Sequence, residues 1–397
     1  IGGRIAERLH QPRIGGEILA GWLLSLVVPA LSGSAGDANG ASMDARFGPA
    51  SAAGSVLLMY FAGLEVRALA SAADRRQVAG LSILDFGLPV GVTIALSAWI
   101  PLELLRGPVR QDTALLLVVA VATAVTSVPV LSRIFHDLGV LRTRFASVVL
   151  NAAVLGDTGL WVMLAIAGAL ARSSGPMAAT IATHLVFAGG YLLAGVTVLP
   201  KQLRILAQSE RNALARRWPG VFAALVVAAY LGVAHAVGVN LAFGAFLAGL
   251  ARPRVQELSP GLARVRALSF STLIPAYFAV AGYHLNISGS PELWLVVGGF
   301  LLLSSVVKVG ASALAARMTG FRSFEIANLA ITMNARGGPG IIVATAARAA
   351  GLVSAPFYSA LVLTAVVTSV AAGSWLRFVM NRGWPLVREG GAEERGA

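Results

Sequence analysis

Apolar runs of about 20 residues recur along almost the whole of this 397-residue chain. A helix needs a run of that length to cross a hydrocarbon core of roughly 30 Å, where its backbone groups must be satisfied internally. The expected fold is therefore an all-α polytopic membrane protein. Only 12% of the residues are charged, against roughly 25% in soluble domains, and no long polar segment is left over for a soluble domain. The chain has no cysteine, which excludes a disulfide framework, thiolate catalysis and zinc or iron–sulfur sites built on sulfur.

The spans read as a short first piece ending near Leu9, then 14–31, 50–69, 78–100, 112–132, 145–170, 177–199, 218–236, 238–251, 267–287, 292–316, 324–347 and 356–376, thirteen in all. The chain begins with Ile1 and its first run is too brief to span, so the natural start is expected to lie upstream and no signal peptide can be assessed. Lys and Arg alternate sharply between connections. One side holds only Arg46, Arg106, Arg110, Arg172 and Arg348; Lys308 and Arg336 fall inside spans, and the rest of the 31 lie on the other side. That bias places the C-terminus in the cytoplasm. It also accounts for the net charge of +13 without a nucleic-acid partner.

The two halves echo one another in order. "GEILAGWL" (Gly16–Leu23) resembles "GAFLAGLA" (Gly244–Ala251), and "YFAGLE" (Tyr60–Glu65) resembles "YFAVAGYH" (Tyr277–His284). "ATAVTSVP" (Ala122–Pro129) precedes one acid-bearing span as "ITMNARGGP" (Ile331–Pro339) precedes the last span. Six spans, one linker span and six more would bring the second half in from the opposite face, an inverted repeat of the kind found in many secondary transporters.

An ionisable group at membrane depth costs several kcal/mol unless paired or wet, so each is a functional candidate. Asp157 lies halfway along its span in "NAAVLGDTGLWVML", Lys308 sits seventeen residues into its own, and Arg336 stands in "MNARGGPG". A carboxylate that binds either a cation or a proton is the simplest exchange device, and Asp157 fits that role; the alternative is a buried acid neutralised by a neighbouring base. Pro129 and the Gly337, Gly338, Pro339 and Gly340 cluster mark the expected helix breaks. Unwound backbone there would free carbonyls for an ion. Thr123, Thr126 and Ser127 would add hydroxyls and Asn334 an amide.

Lys308 would balance Asp157 or itself release a proton after desolvation. Arg336 would neutralise carbonyl ends, with Glu325 its only nearby acid in sequence, about 16 Å away along a continuous helix. Glu65 and Asp85 are placed near span ends, within reach of water. His184, His235 and His284 are solitary, read as packing residues before pH sensors, and form no metal motif. With no metal motif, no nucleophile–base set and no paired acids, enzymatic function is not expected, and no cofactor is implied.

"QPRIGGEILAGWLL", "FAGLEV", "ATAVTSVPVLSRIFHDLG", "NAAVLGDTGLWV", "FGAFLAGLARP", "SSVVKVGAS" and "MNARGGPGIIVATAARAAGLVS" together resemble the monovalent cation:proton antiporter-2 family, in order and over essentially the whole chain. The resemblance implies the sodium/proton antiporter fold: a homodimer of thirteen-helix subunits in the cell membrane, each with two crossing broken helices and an elevator motion of a core against a scaffold. On that pattern, 1–70 and 218–287 are scaffold and dimerisation parts, 78–170 and 292–380 are the core halves, 177–203 is the linker helix and 381–397 a short cytoplasmic tail. The nucleotide-binding domain of the glutathione-gated members is not expected. Asp157 matches the family's ion- and proton-binding aspartate and Lys308 its core lysine, while Thr126 and Asn334 fall at the crossings.

One position departs from the pattern. Where many electrogenic members have a second acid immediately before the essential one, paired with the lysine, this chain has Gly156. The expectation is that Lys308 pairs with Asp157 itself in the empty site. The implied function is exchange of Na⁺ or K⁺ for H⁺, electroneutral if Lys308 keeps its proton and electrogenic if it does not. The rivals are an exporter of a larger cationic or ionophore-like solute, favoured by a cavity wider than an ion needs, and a non-transporting membrane scaffold or accessory protein.

Overall fold

The computed structural model describes residues 3, 13–32, 41–69, 75–172, 176–209, 212–252, 260–287 and 290–387. The short first span and most of the C-terminal tail expected from sequence lie outside them. Helices α1 (Arg13–Ser32), α2 (Ala41–Leu69) and α3 (Arg75–Ala95) are followed by α4 (Asp112–Ala124), α5 (Val128–Asp137) and α6 (Arg144–Arg172). Next, α7 (Met177–Leu193) runs through a π-helical turn into α8 (Leu199–Gln208), and α9 (Pro219–Ala236) and α10 (Leu241–Ala251) follow. A second π turn joins α11 (Pro260–Leu268) to α12 (Ile274–Tyr283), and the chain ends with α13 (Pro291–Met318), α14 (Phe324–Met333), α15 (Gly337–Ala349) and α16 (Ala355–Asn381).

Nine helical stretches among the described residues are long and apolar enough to cross a membrane, with α4 and α5 counted together, so this is a multi-pass membrane protein. Several expected spans change shape. The helix anticipated at 50–69 starts nine residues earlier, at Ala41, and α10 has only 11 residues. The span at 324–347 is two helices of 10 and 13 residues, each too short alone. Both π turns, Ala194–Val198 and Ser269–Leu273, sit two residues before a proline, Pro200 and Pro275. A proline ring displaces the preceding turn and removes a donor, which is the physical cause of such a bulge.

The helices pack in two groups. In one, α2 packs on α10 and α12, α1 on α12, and α9 on α10; in the other, α13 packs on α3, α14 and α16, and α3 on α4 and α6. The first group is held by backbone approaching backbone. A Cβ on Gly21 would strike the Ala279 carbonyl and one on Gly282 the Ile18 carbonyl; a Cβ on Gly249 would strike the Tyr60 carbonyl and one on Gly63 the Phe246 carbonyl. Small residues permit this approach in a membrane, where apolar burial drives no helix association. The two contacts correspond: Ile18 and Gly21 stand to α12 as Phe246 and Gly249 stand to α2. That matches Gly63 with Gly282 and Tyr60 with Ala279, not Tyr60 with Tyr277 as the sequence echo aligned them.

Candidate functional site

Two interrupted helices meet inside the second group. At the first break, Val125–Ser127, the Ser127 amide donates to the Ala335 carbonyl at 2.6 Å and the Thr126 hydroxyl to the Met333 carbonyl at 2.7 Å. At the second break, Asn334–Arg336, the Arg336 and Gly337 amides are taken by the hydroxyls of Thr368 and Ser369 on α16, at 3.4 and 3.1 Å. The first break thus caps carbonyls of the second, and hydroxyls of α16 take the amides of the second, in place of water. Pro129 sits in the first turn of α5, where a missing donor costs nothing. Gly337 has φ of +35°, and a Cβ there would collide with Val130 and with the Ser127 hydroxyl. Only glycine meets both demands.

Asp157, on α6, faces this crossing. It is 2% exposed, and its Oδ2 is buried with no hydrogen-bond partner among the described residues. The cavity it lines is shared with Asp85, Phe86, Ala124, Val125, Thr126, Ala153, Gly156 and Leu160, and leaves about 10 Å³ for the centre of a water-sized occupant. That is room for about one water or small ion. A Cβ on Gly156 would make only ordinary contacts, 3.8 Å to Phe86 Cβ and 4.0 Å to Ser82 Oγ, so the position does not require glycine for a close approach.

Lys308 does not pair with Asp157 as expected. Its fully buried ammonium donates to Asp85 Oδ2 at 2.6 Å, to the Asp85 carbonyl at 3.1 Å and to the Ala124 carbonyl at 2.6 Å. Ser312, one turn along α13, donates to Asp85 Oδ1. Asp85 is therefore not a water-accessible residue at a span end. It lies midway along α3 and is 4% exposed. Both carbonyls to which Lys308 donates are freed by local sequence. Pro89, four residues after Asp85, has no amide to give the Asp85 carbonyl, and Ala124 is the last residue of α4. Burying two ions costs several kcal/mol each unless their remaining donors and acceptors are filled, and here they are filled. A proline at i+4 from an acid in an apolar run was the available signal.

The other expected site residues separate. Thr126 lines the cavity; Ser127 caps α5 by accepting from the Val130 amide at 3.4 Å, and Thr123 bonds back to Val119 in its own helix at 2.8 Å. Asn334 does not line the cavity; its Oδ1 accepts from Arg336 at 3.3 Å. Arg336 donates to the Ser304 hydroxyl at 2.7 Å and lies 5.7 Å from the Phe300 ring centre. Glu325, the acid considered for Arg336 despite its distance along the helix, accepts from the Arg322 amide at 2.9 Å. His284 Nε2 is 2.7 Å from Asp44 Oδ1, so it is not solitary. The Glu65 side chain lies outside the described residues, and no group of three His, Asp or Glu able to hold a metal occurs among them.

The family described as sodium/hydrogen exchanger, transmembrane, matches residues 1–382. The chain is similar to K(+)/H(+) antiporter 1 of Saccharomyces cerevisiae, at 28% identity over 80% of this chain and 37% of the yeast protein. It is also similar to the Na(+)/H(+)-K(+) antiporter GerN of Bacillus cereus, at 24% identity over 96% of this chain and 93% of that protein. The Na(+)/H(+) antiporter NhaS4 of Synechocystis is 25% identical over 93% of this chain and 91% of that protein. The chain thus spans little more than a third of the yeast relative's length.

Proposed function

Because the chain belongs to the sodium/hydrogen exchanger family, a family of transporters, we propose that it is a secondary antiporter exchanging a monovalent cation, Na⁺ or K⁺, for H⁺. The observation that carries this reading is the buried, unpartnered Oδ2 of Asp157 beside a cavity for one ion. A naked carboxylate oxygen at that depth is costly unless something binds it. A cation and a proton are its two natural occupants, and they exclude one another. Thr126 contributes a hydroxyl oxygen and Ala124 and Val125 the backbone of a broken helix. Ser127 and Asn334 support the crossing in place of contacting the cargo.

The cycle loads a cation on Asp157 from one side, moves the site across the membrane, releases the cation and returns with Asp157 protonated. The movement is of the elevator type, a core of residues 78–170 and 292–380 travelling against a scaffold of 1–70 and 218–287 with 177–203 as linker. Two features support this. Asp85, Asp157, Lys308 and Arg336 all belong to one packing group, while the other is locked by backbone contacts at glycines. The exchanged contacts of Gly21 with α12 and Gly249 with α2 support an inverted repeat and, with the first span, thirteen helices. The basic bias of alternate loops supports a cytoplasmic C-terminus in the cell membrane, and the resemblance supports a homodimer. A cavity sized for one ion does not favour export of a larger solute.

The test is cation-dependent proton flux in proteoliposomes, with Na⁺ and K⁺ supplied separately. Wild type is expected to move protons in response to one or both. Asp157→Asn is expected to lose that flux by about a hundredfold or more while eluting as a folded species. Flux retained in Asp157→Asn would overturn the reading.

A further inference from the structure

We infer that Asp85 holds Lys308 off Asp157, so that one carboxylate alone meets the cargo and one cation exchanges for one proton. The inference rests on the antiport reading above and specifies its stoichiometry.

An ammonium has three N–H donors. Those of Lys308 have three acceptors: Asp85 Oδ2, the Asp85 carbonyl and the Ala124 carbonyl. No donor remains for Asp157, and the Asp157 oxygen without a partner is the other half of the same fact. Asp85 is equally closed, with Oδ2 on Lys308 and Oδ1 on Ser312. The pair is a neutral unit built from α3 and α13, and a cation entering the cavity has no ammonium to displace.

Asp85 thereby occupies Lys308 from α3, across the cavity wall from the glycine at position 156. The two positions border the same cavity. The space beside Gly156 opens toward Ser82 and Phe86 of α3, the helix that bears Asp85. A Cβ at 156 meets only ordinary contacts there, at 3.8 and 4.0 Å.

The charge count follows. With Lys308 and Asp85 neutral together, Asp157 contributes one negative charge, which one bound cation or one bound proton cancels equally. The site then has the same charge on both legs of the cycle. Transport moves no net charge, and membrane potential neither drives nor opposes it.

The experiment is the proteoliposome assay at membrane potentials set by a gradient of permeant anion. Wild-type exchange is expected to reach the same end point, within about twofold, at 0 and 100 mV, whereas one net charge per cycle would shift it about fiftyfold. A potential-driven shift overturns the inference, and this measurement needs no variant. Asp85→Asn frees Lys308 to turn to Asp157, and the KM for the cation is expected to rise about tenfold with little change in maximal rate. Asp85→Asn combined with Gly156→Asp is expected to recover most of that loss. An unchanged KM in folded Asp85→Asn, or a fall in maximal rate alone, assigns Asp85 a purely structural role and overturns the inference. Absence of wild-type flux, or flux that survives Asp157→Asn, overturns the antiport reading on which it rests and is distinguished from potential-dependent flux in the same assay.

Discussion

Five charged side chains are buried within one helix group among the described residues; Glu325 accepts from the Arg322 amide near its helix start, and the other four, around the crossing, meet three different fates. Asp85 and Lys308 fill each other's valences, and Asp157 has an oxygen with none. Arg336, 1% exposed, meets neutral oxygens and an aromatic face in place of a carboxylate among the described residues. A guanidinium suits that setting because it is planar and weakly hydrated, and can stack and donate at the same time. Lysine would keep the charge and lose both the stack and one donor direction. Arg336→Lys is therefore expected to destabilise the folded protein by about 1–2 kcal/mol, read as a lower melting temperature in detergent by tryptophan fluorescence. An unchanged melting temperature would show that the stack on Phe300 and the bond to Ser304 contribute nothing.

Among the elements, the helix interruptions matter more than the long helices. The α4–α5 and α14–α15 breaks place backbone groups at the centre of the packed group, where the first break donates to carbonyls of the second. Gly337 is the most constrained position there, by its positive φ and by the proximity of Val130 and Ser127. Gly337→Ala is expected to cost about 1–3 kcal/mol in backbone strain alone and to lower both the melting temperature and the flux. Gly298→Ala, in a helix interior with nothing near its Cβ, is the control expected to leave the flux unchanged and the melting temperature equal or slightly raised, since alanine is the better helix former. Gly249→Val tests the other group. It forces α10 away from α2, and a melting temperature equal to wild type would refute the close approach of those backbones.

For the whole molecule, the question is whether the two helix groups move relative to one another. Trp161 of α6 stacks on Phe243 of α10 across their boundary, with ring centres 5.4 Å apart. The chain has no native cysteine, so introduced pairs can be cross-linked without background. Bridging Trp161→Cys to Phe243→Cys with a short bifunctional thiol reagent is expected to abolish flux, and reductive cleavage of the reagent to restore it. Cross-links within one group, between α1 and α12, are expected to leave flux within about twofold of the untreated variant. Equal flux before and after the boundary cross-link would rule out relative motion of the groups.

The positions of the helices and of their breaks were legible in the chain because hydropathy, proline and glycine act locally. The same locality made Asp157 legible, as a lone acid in an apolar run. The partner of Lys308 was not, since Asp85 lies 223 positions away in sequence. A buried charge takes whichever acceptor the packing of α3 against α13 and α4 brings to it, and adjacency to Asp157 pointed to the wrong one. The register between Gly63 and Gly282 was hidden for a similar reason: it is set by where backbones touch, not by which letters recur. Local forces thus determined that this chain crosses a membrane many times, where its helices break and which acid is exceptional. Tertiary packing alone decided which charges are spent on one another and which buried carboxylate oxygen is left without a partner among the described residues.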